Sequence, residues 1–127
     1  GYFENEADHM KTLISIKENL SESGFAVIDF MNVNHVLANL ILEETKSVEG
    51  IDFYIKRYHI DGYIYKEISF TDKGENYNFV EKVRAFTLED FTRMMDEAGI
   101  FLLDTFGDYK LKKFLKKDSE RLIMIFK

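Results

Sequence analysis

The side chains able to do acid–base or ligand chemistry are few in this chain, and their spacing restricts what they can do. None of the 127 residues is cysteine and three are histidine, so there is no thiolate nucleophile and no disulfide framework. His9, His35 and His59 share no metal-ligand spacing, and no structural metal is expected. No nucleophile stands paired with a base in the manner of a covalent catalyst. The glycines fall at positions 1, 24, 50, 62, 74, 99 and 107. No pair is two or three apart, so no G-x-G-x-x-G turn or looser equivalent exists. Net charge −6 lacks the basic footprint that nucleic-acid binding needs. The run Lys110, Lys112, Lys113, Lys116, Lys117 reads as a solvated face rather than an anion site, and Arg84 as one half of a surface ion pair.

With 46% apolar and 31% charged residues the chain reads as globular, with enough length to bury a sizeable core. No apolar run approaches the length of a membrane span, and no membrane partner is expected. The lack of cysteine points to a reducing, cytoplasmic setting.

The elements that must position these residues are most legible from 86 to 127. Thr87 is an N-cap with Asp90 three residues on, and Phe86 and Phe91 occupy the two positions of a hydrophobic staple. Leu88, Phe91, Met94, Met95 and Ala98 recur at helical spacing, and Gly99 stands where a left-handed C-cap belongs. Strands follow at 100–106 and 121–126. Upstream, 5–20 reads as a helix capped by Asn5, and the apolar run 25–31 as a strand buried on both faces. Asn32 starts a second helix, whose stripe of Val33, Val36, Leu37, Leu40 and Ile41 carries it to near Gly50. The period then changes to two. Residues 51–60 and 63–70 flank Asp61-Gly62, a strong hairpin signal, and 77–84 completes a three-stranded antiparallel meander. Apolar groups fall on both of its faces. One face therefore suits a neighbour, a partner chain or a ligand, unless ordinary packing within the domain covers it.

Several of these segments, in order, resemble the C-terminal part of class I S-adenosylmethionine-dependent methyltransferases. They are Gly1-Tyr2-Phe3-Glu4-Asn5-Glu6, residues 25–32, Thr87-Leu88-Glu89-Asp90-Phe91, Glu97-Ala98-Gly99, Gly107-Asp108-Tyr109 and Ser119-Glu120-Arg121-Leu122-Ile123. The resemblance implies an α/β fold, the C-terminal half of a Rossmann-like methyltransferase sheet. In such enzymes strand seven lies antiparallel between strands five and six. Residues 25–31, 100–106 and 121–126 would be strands five, six and seven, with 51–84 an inserted antiparallel meander. On this reading 1–127 is a single domain, itself a fragment of a larger one, because the match begins in mid-fold and the first residue is Gly rather than Met.

The resemblance further implies where chemistry would sit. Ligands of open α/β sheets bind beyond the carboxyl ends of the parallel strands. Tyr2 and Phe3 would rim the cofactor pocket, Asn32, Asn34 and Tyr109 would face the substrate, and His35 would be the general base for an O- or N-methyl acceptor. Asn32 also reads simply as a helix cap, and His35 as an exposed first-turn histidine. The cofactor of the intact enzyme would be S-adenosylmethionine, with a small-molecule methyl acceptor. The missing glycine-rich turn implies that this fragment binds no cofactor and is inactive alone. An exposed strand-five edge implies a homo-oligomer, such as a homodimer, or pairing with a missing N-terminal half. The competing expectation is a non-catalytic α/β interaction or dimerisation module.

Overall fold

The computed structural model describes residues 1–127. In chain order the elements are α1 (Glu6–Glu18), β1 (Ala26–Met31), α2 (Val33–Ala38), β2 (Glu43–Val48), β3 (Ile51–Ile60), β4 (Tyr63–Asp72), β5 (Glu75–Arg84), α3 (Leu88–Glu97), β6 (Leu102–Phe106) and β7 (Arg121–Phe126). They divide into two compact units: Phe3–Ala38 with Phe86–Lys127, and Asn39–Ala85 with Gly1–Tyr2.

The first unit is a helix-on-sheet layer. Its three strands run in the order β1-β7-β6, and β7 is antiparallel to both neighbours. Strand seven therefore separates strands five and six, as the sequence resemblance implies. The alternate residues Leu122, Met124 and Phe126 of β7 turn to one face, where they join Leu13 of α1 and Phe91, Met94 and Met95 of α3 in the core. Phe126 and Met124 are fully buried. Both helices start from side-chain caps. Asn5 accepts from the Asp8 N–H at 3.0 Å. Thr87 and Asp90 form a complete capping box, Thr87 Oγ1 accepting from the Asp90 N–H and Asp90 Oδ2 from the Thr87 N–H. The staple forms too, with the Phe86 and Phe91 rings 5.5 Å apart.

The second unit is a single antiparallel sheet in the order β2-β3-β4-β5. The sequence pattern extends the second helix to near Gly50 and predicts three strands over 51–84. The structure corrects both: α2 stops at Ala38, and 43–48 form a fourth strand. The apolar stripe that suggested more helix ends on Ile41, yet Ile41 is exposed. Six backbone registrations between β2 and β3 outweigh a weak local helical preference. All three connections are two-residue turns in which both residues have positive φ: Glu49-Gly50, Asp61-Gly62 and Lys73-Gly74. That geometry matches the twist of paired strands. At Gly62, with φ +78°, only glycine adopts the second turn position without strain.

Candidate functional site

Because β1 and β6 are both antiparallel to β7, they are parallel to each other, and their carboxyl ends meet at one edge of the sheet. The segments leaving that edge are Asn32–His35 and the connection from Gly107 to Glu120. The connection is tightly tied. Gly107 N–H donates to the Lys112 carbonyl and Arg121 N–H to the Gly107 carbonyl. Asp108 Oδ1 accepts from the backbone N–H of Lys110 and Lys112 at 2.9 and 3.2 Å. Ser119 packs so closely on Gly107 that a Cβ there would lie 2.1 Å from Ser119 Oγ. Glycine is thus required at 107 by close approach, without any need for a special φ.

Asn32, 2% exposed, is the clamp of this edge. Its amide nitrogen donates to the carbonyls of Lys116 at 2.9 Å and Ser119 at 2.7 Å. It thereby joins the end of β1 to the chain entering β7. The sequence offered Asn32 as a helix cap or a substrate contact; in the structure its buried amide nitrogen is engaged by the protein itself. The partners that define this role lie far away in the chain, at Lys116 and Ser119.

The connection walls an open cleft of about 470 Å³, lined by Gly107, Asp108, Tyr109, Lys113 and Ser119 among others. Tyr109 is 72% exposed, and its hydroxyl donates to Asp29 Oδ2 at 2.8 Å. Arg121 Nε donates to the other oxygen, Oδ1, at 2.9 Å. The hydrogen bond to Asp29, with some desolvation, pushes the Tyr109 phenol above its ordinary pKa, and Arg121 opposes the shift. Asp29 was not among the residues singled out from sequence. Its signal was available: it is the one charge in the otherwise apolar strand of β1.

The remaining predicted residues separate. Asn34 and His35 lie half-buried on α2, at the same edge as Asn32. Phe3 packs edge-on against the ring of His9, at 5.1 Å between centroids, and its carbonyl lies 3.2 Å from His9 Nε2. His9 is buried and also meets Phe86 at 4.8 Å, a core role. Tyr2, 77% exposed, belongs to the other unit, where the neighbouring Gly1 carbonyl accepts from the Arg84 N–H at 2.6 Å. Arg84 itself stacks its guanidinium over Tyr63 at 4.8 Å, a cation–π contact where an ion pair was expected. His59 is exposed on β3. No three His, Asp or Glu side chains gather as a metal site, and no helix is long and apolar enough to cross a membrane.

The glycines do not supply a cradle for a nucleoside cofactor. Gly50, Gly62 and Gly74 sit in hairpin turns, Gly99 follows α3, and the space beside Gly107 is filled by Ser119. None of these five glycines forms the glycine-rich turn that cradles a nucleoside cofactor.

No protein-family model and no curated protein matches the chain. Solved structures do match. A S-adenosylmethionine-dependent methyltransferase from Clostridium acetobutylicum superposes with a TM-score of 0.82 at 20% identity, over 99% of this chain and 53% of its own. The CcbJ methyltransferase from Streptomyces caelestis gives 0.80 at 14% identity, over 99% of this chain and 55% of its own. The sugar N-methyltransferase KedS8 from Streptoalloteichus gives 0.67 at 14% identity, over 98% and 50%. The fold is thus related to that of class I S-adenosylmethionine-dependent methyltransferases, a Rossmann-like sheet topology in partial form. The chain spans about half the length of the structures it matches.

Proposed function

We propose that this chain is the acceptor-side, C-terminal portion of a S-adenosylmethionine-dependent methyltransferase that acts on a small molecule, and that it is inactive alone. The observation that carries the reading is the combination of near-complete coverage of this chain with half coverage of the matched enzymes, on a sheet ordered β1-β7-β6. The discontinuity of the first unit supports treating Asn39–Ala85 as an insertion within one domain. β1 ends the sheet with a free edge, which suits pairing with an N-terminal half or with another copy. The partner half would bring the cofactor.

The roles left to this chain are binding and proton handling. The clamp of Asn32 fixes the cleft wall that carries Tyr109. Asn34 and Tyr109 would orient the acceptor, His35 would take its proton if it comes within hydrogen-bond reach, and Phe3 would rim the pocket. Calorimetry separates this from a non-catalytic interaction module, which the absent glycine cradle also suits. This chain should bind no S-adenosylmethionine. A product extended upstream by roughly one hundred residues, the remainder of an ordinary domain, should bind it. Tight binding by this chain alone, or none by the extended product, would sink the proposal.

A further inference from the structure

The connection from β6 to β7 concentrates positive charge in an otherwise acidic chain. Five of the 17 lysine and arginine residues stand at Lys110, Lys112, Lys113, Lys116 and Lys117, within a stretch that holds no Asp or Glu, while the whole chain carries −6. All five are exposed. Lys116 reaches Glu89 at 2.9 Å, and the other four form no ion pair. From sequence this run reads as a solvated face. The structure adds apolar groups that a merely solvated face does not need.

Those groups are Tyr109, Leu111 and Leu115, 72%, 60% and 55% exposed and interleaved with the lysines. The backbone holds them in place. Leu111 has φ +59°, a left-handed conformation that leucine rarely adopts. Asp108 fixes it there: its Oδ1 accepts from the N–H groups of Lys110 and Lys112 on either side, and its carbonyl accepts from the Leu111 N–H at 3.1 Å. Between the two leucines, Phe114 packs against the core and anchors the segment. A strained backbone that offers an apolar side chain to water, ringed by cations, marks a contact surface.

We infer that this connection docks on an anionic lipid bilayer, its lysines among the headgroups and Leu111 and Leu115 entering the boundary with the acyl chains. A chain with no spanning helix can still bind at the interface in this way. Charge and apolarity choose the occupant together. Polybasic segments are drawn to anionic headgroups, and the acidic remainder of the chain turns its basic side toward such a surface. A nucleic acid offers phosphates but nothing that removes leucine from water. The stretch also lacks arginine, the side chain that grips phosphate bidentately. It leaves the sheet from β6, the strand farthest from the free β1 edge, so strand pairing on β1 does not use it. The inference is independent of the methyltransferase reading.

Vesicle flotation tests it. Phosphatidylcholine vesicles holding about 30 mol % phosphatidylglycerol should carry the chain upward, and pure phosphatidylcholine vesicles should not. Raising salt from about 0.05 to 0.5 M should release most of it. Lys112→Glu with Lys113→Glu should weaken binding by on the order of 30-fold or more. Lys11→Glu with Lys46→Glu makes the same charge change at two exposed lysines elsewhere, and should weaken it by less than about 3-fold. Leu111→Gln with Leu115→Gln should weaken it by on the order of 10-fold. Circular dichroism checks that each variant is folded. Lys110→Glu with Lys117→Glu replaces the first pair if that pair unfolds, and Leu111→Gln alone replaces the leucine pair. No binding to the anionic vesicles overturns the inference. So does equal weakening by the two lysine pairs, and so does a leucine variant without effect, which assigns the stretch to a soluble polyanion such as nucleic acid.

Discussion

The two units spend similar kinds of residue on opposite ends. In the helix-on-sheet unit, nine apolar side chains close into one buried cluster. In the β2–β5 sheet, an equally aromatic sequence buries one hydrophobic residue, Ile55. The difference lies in layers, since a sheet's apolar face is removed from water only by something laid upon it. α1 and α3 do that for β7, whereas the four-stranded sheet relies on register, tight turns and cross-strand pairs. One unit gathers its apolar side chains into a core of its own, and the other leaves exposed apolar side chains on both faces of its sheet.

The strongest way to break this contrast is to remove an aromatic ring from each unit. Phe126→Ala, at a fully buried site, should cost about 3–5 kcal/mol. Phe79→Ala, half exposed, should cost less than about 1 kcal/mol in a monomer. Urea unfolding of both variants measures this, below the association range. Similar losses at the two sites would mean that the sheet is covered after all.

Asn32→Ala comes next. It strips two hydrogen bonds from an edge where the donor is buried, leaving the Lys116 and Ser119 carbonyls to find new partners. The expected loss is about 1–3 kcal/mol, with faster amide exchange from 107 to 120. A cost below about 0.5 kcal/mol would remove Asn32 as the clamp. Smaller again is Gly62→Ala. A side chain held at φ +78° costs about 1 kcal/mol, and the sheet unit alone should feel it.

The sequence was readable wherever the signal was local. The capping box at Thr87, the staple of Phe86 and Phe91, the cap at Asn5 and the Asp61-Gly62 turn all depend on neighbours a few residues away, and each formed. β2 was missed because Leu40 and Ile41 continue a helical stripe that nothing local interrupts, while the turn that reverses the chain there is Glu49-Gly50. Glutamate in a positive-φ position is a weak turn signal beside aspartate or asparagine. The site was less legible still. Asn32 reaches partners 84 and 87 residues away, and Tyr109 meets Asp29 across 80. No spacing rule covers such pairs, because they arise only once β7 lies between β1 and β6.

The smallest expected effect sharpens the comparison through two matched phenols, one in each unit. Tyr109 donates to Asp29 at 2.8 Å and Tyr58 to Glu67 at 2.9 Å, and in each the carboxylate raises the phenol's pKa. A raised folded pKa stabilises below the unfolded value, about 10 for tyrosine. That contribution disappears as pH rises through the folded value. Asp29→Ala should lower the Tyr109 titration, with Arg121 now unopposed in favouring the phenolate, and leave Tyr58 where it was. Carbon-13 tyrosine spectra between neutral pH and the alkaline limit of folding would follow both, with Tyr109→Phe assigning the signal. The alkaline edge of stability should shift only slightly, because Tyr109 is solvent-exposed and screened. If Tyr109 titrates unchanged without Asp29, the hydroxyl is not held at the cleft, and its proposed part in orienting an acceptor falls with it. If Tyr58 moves as well, the substitution has effects beyond the Tyr109–Asp29 pair and the comparison fails as a local test.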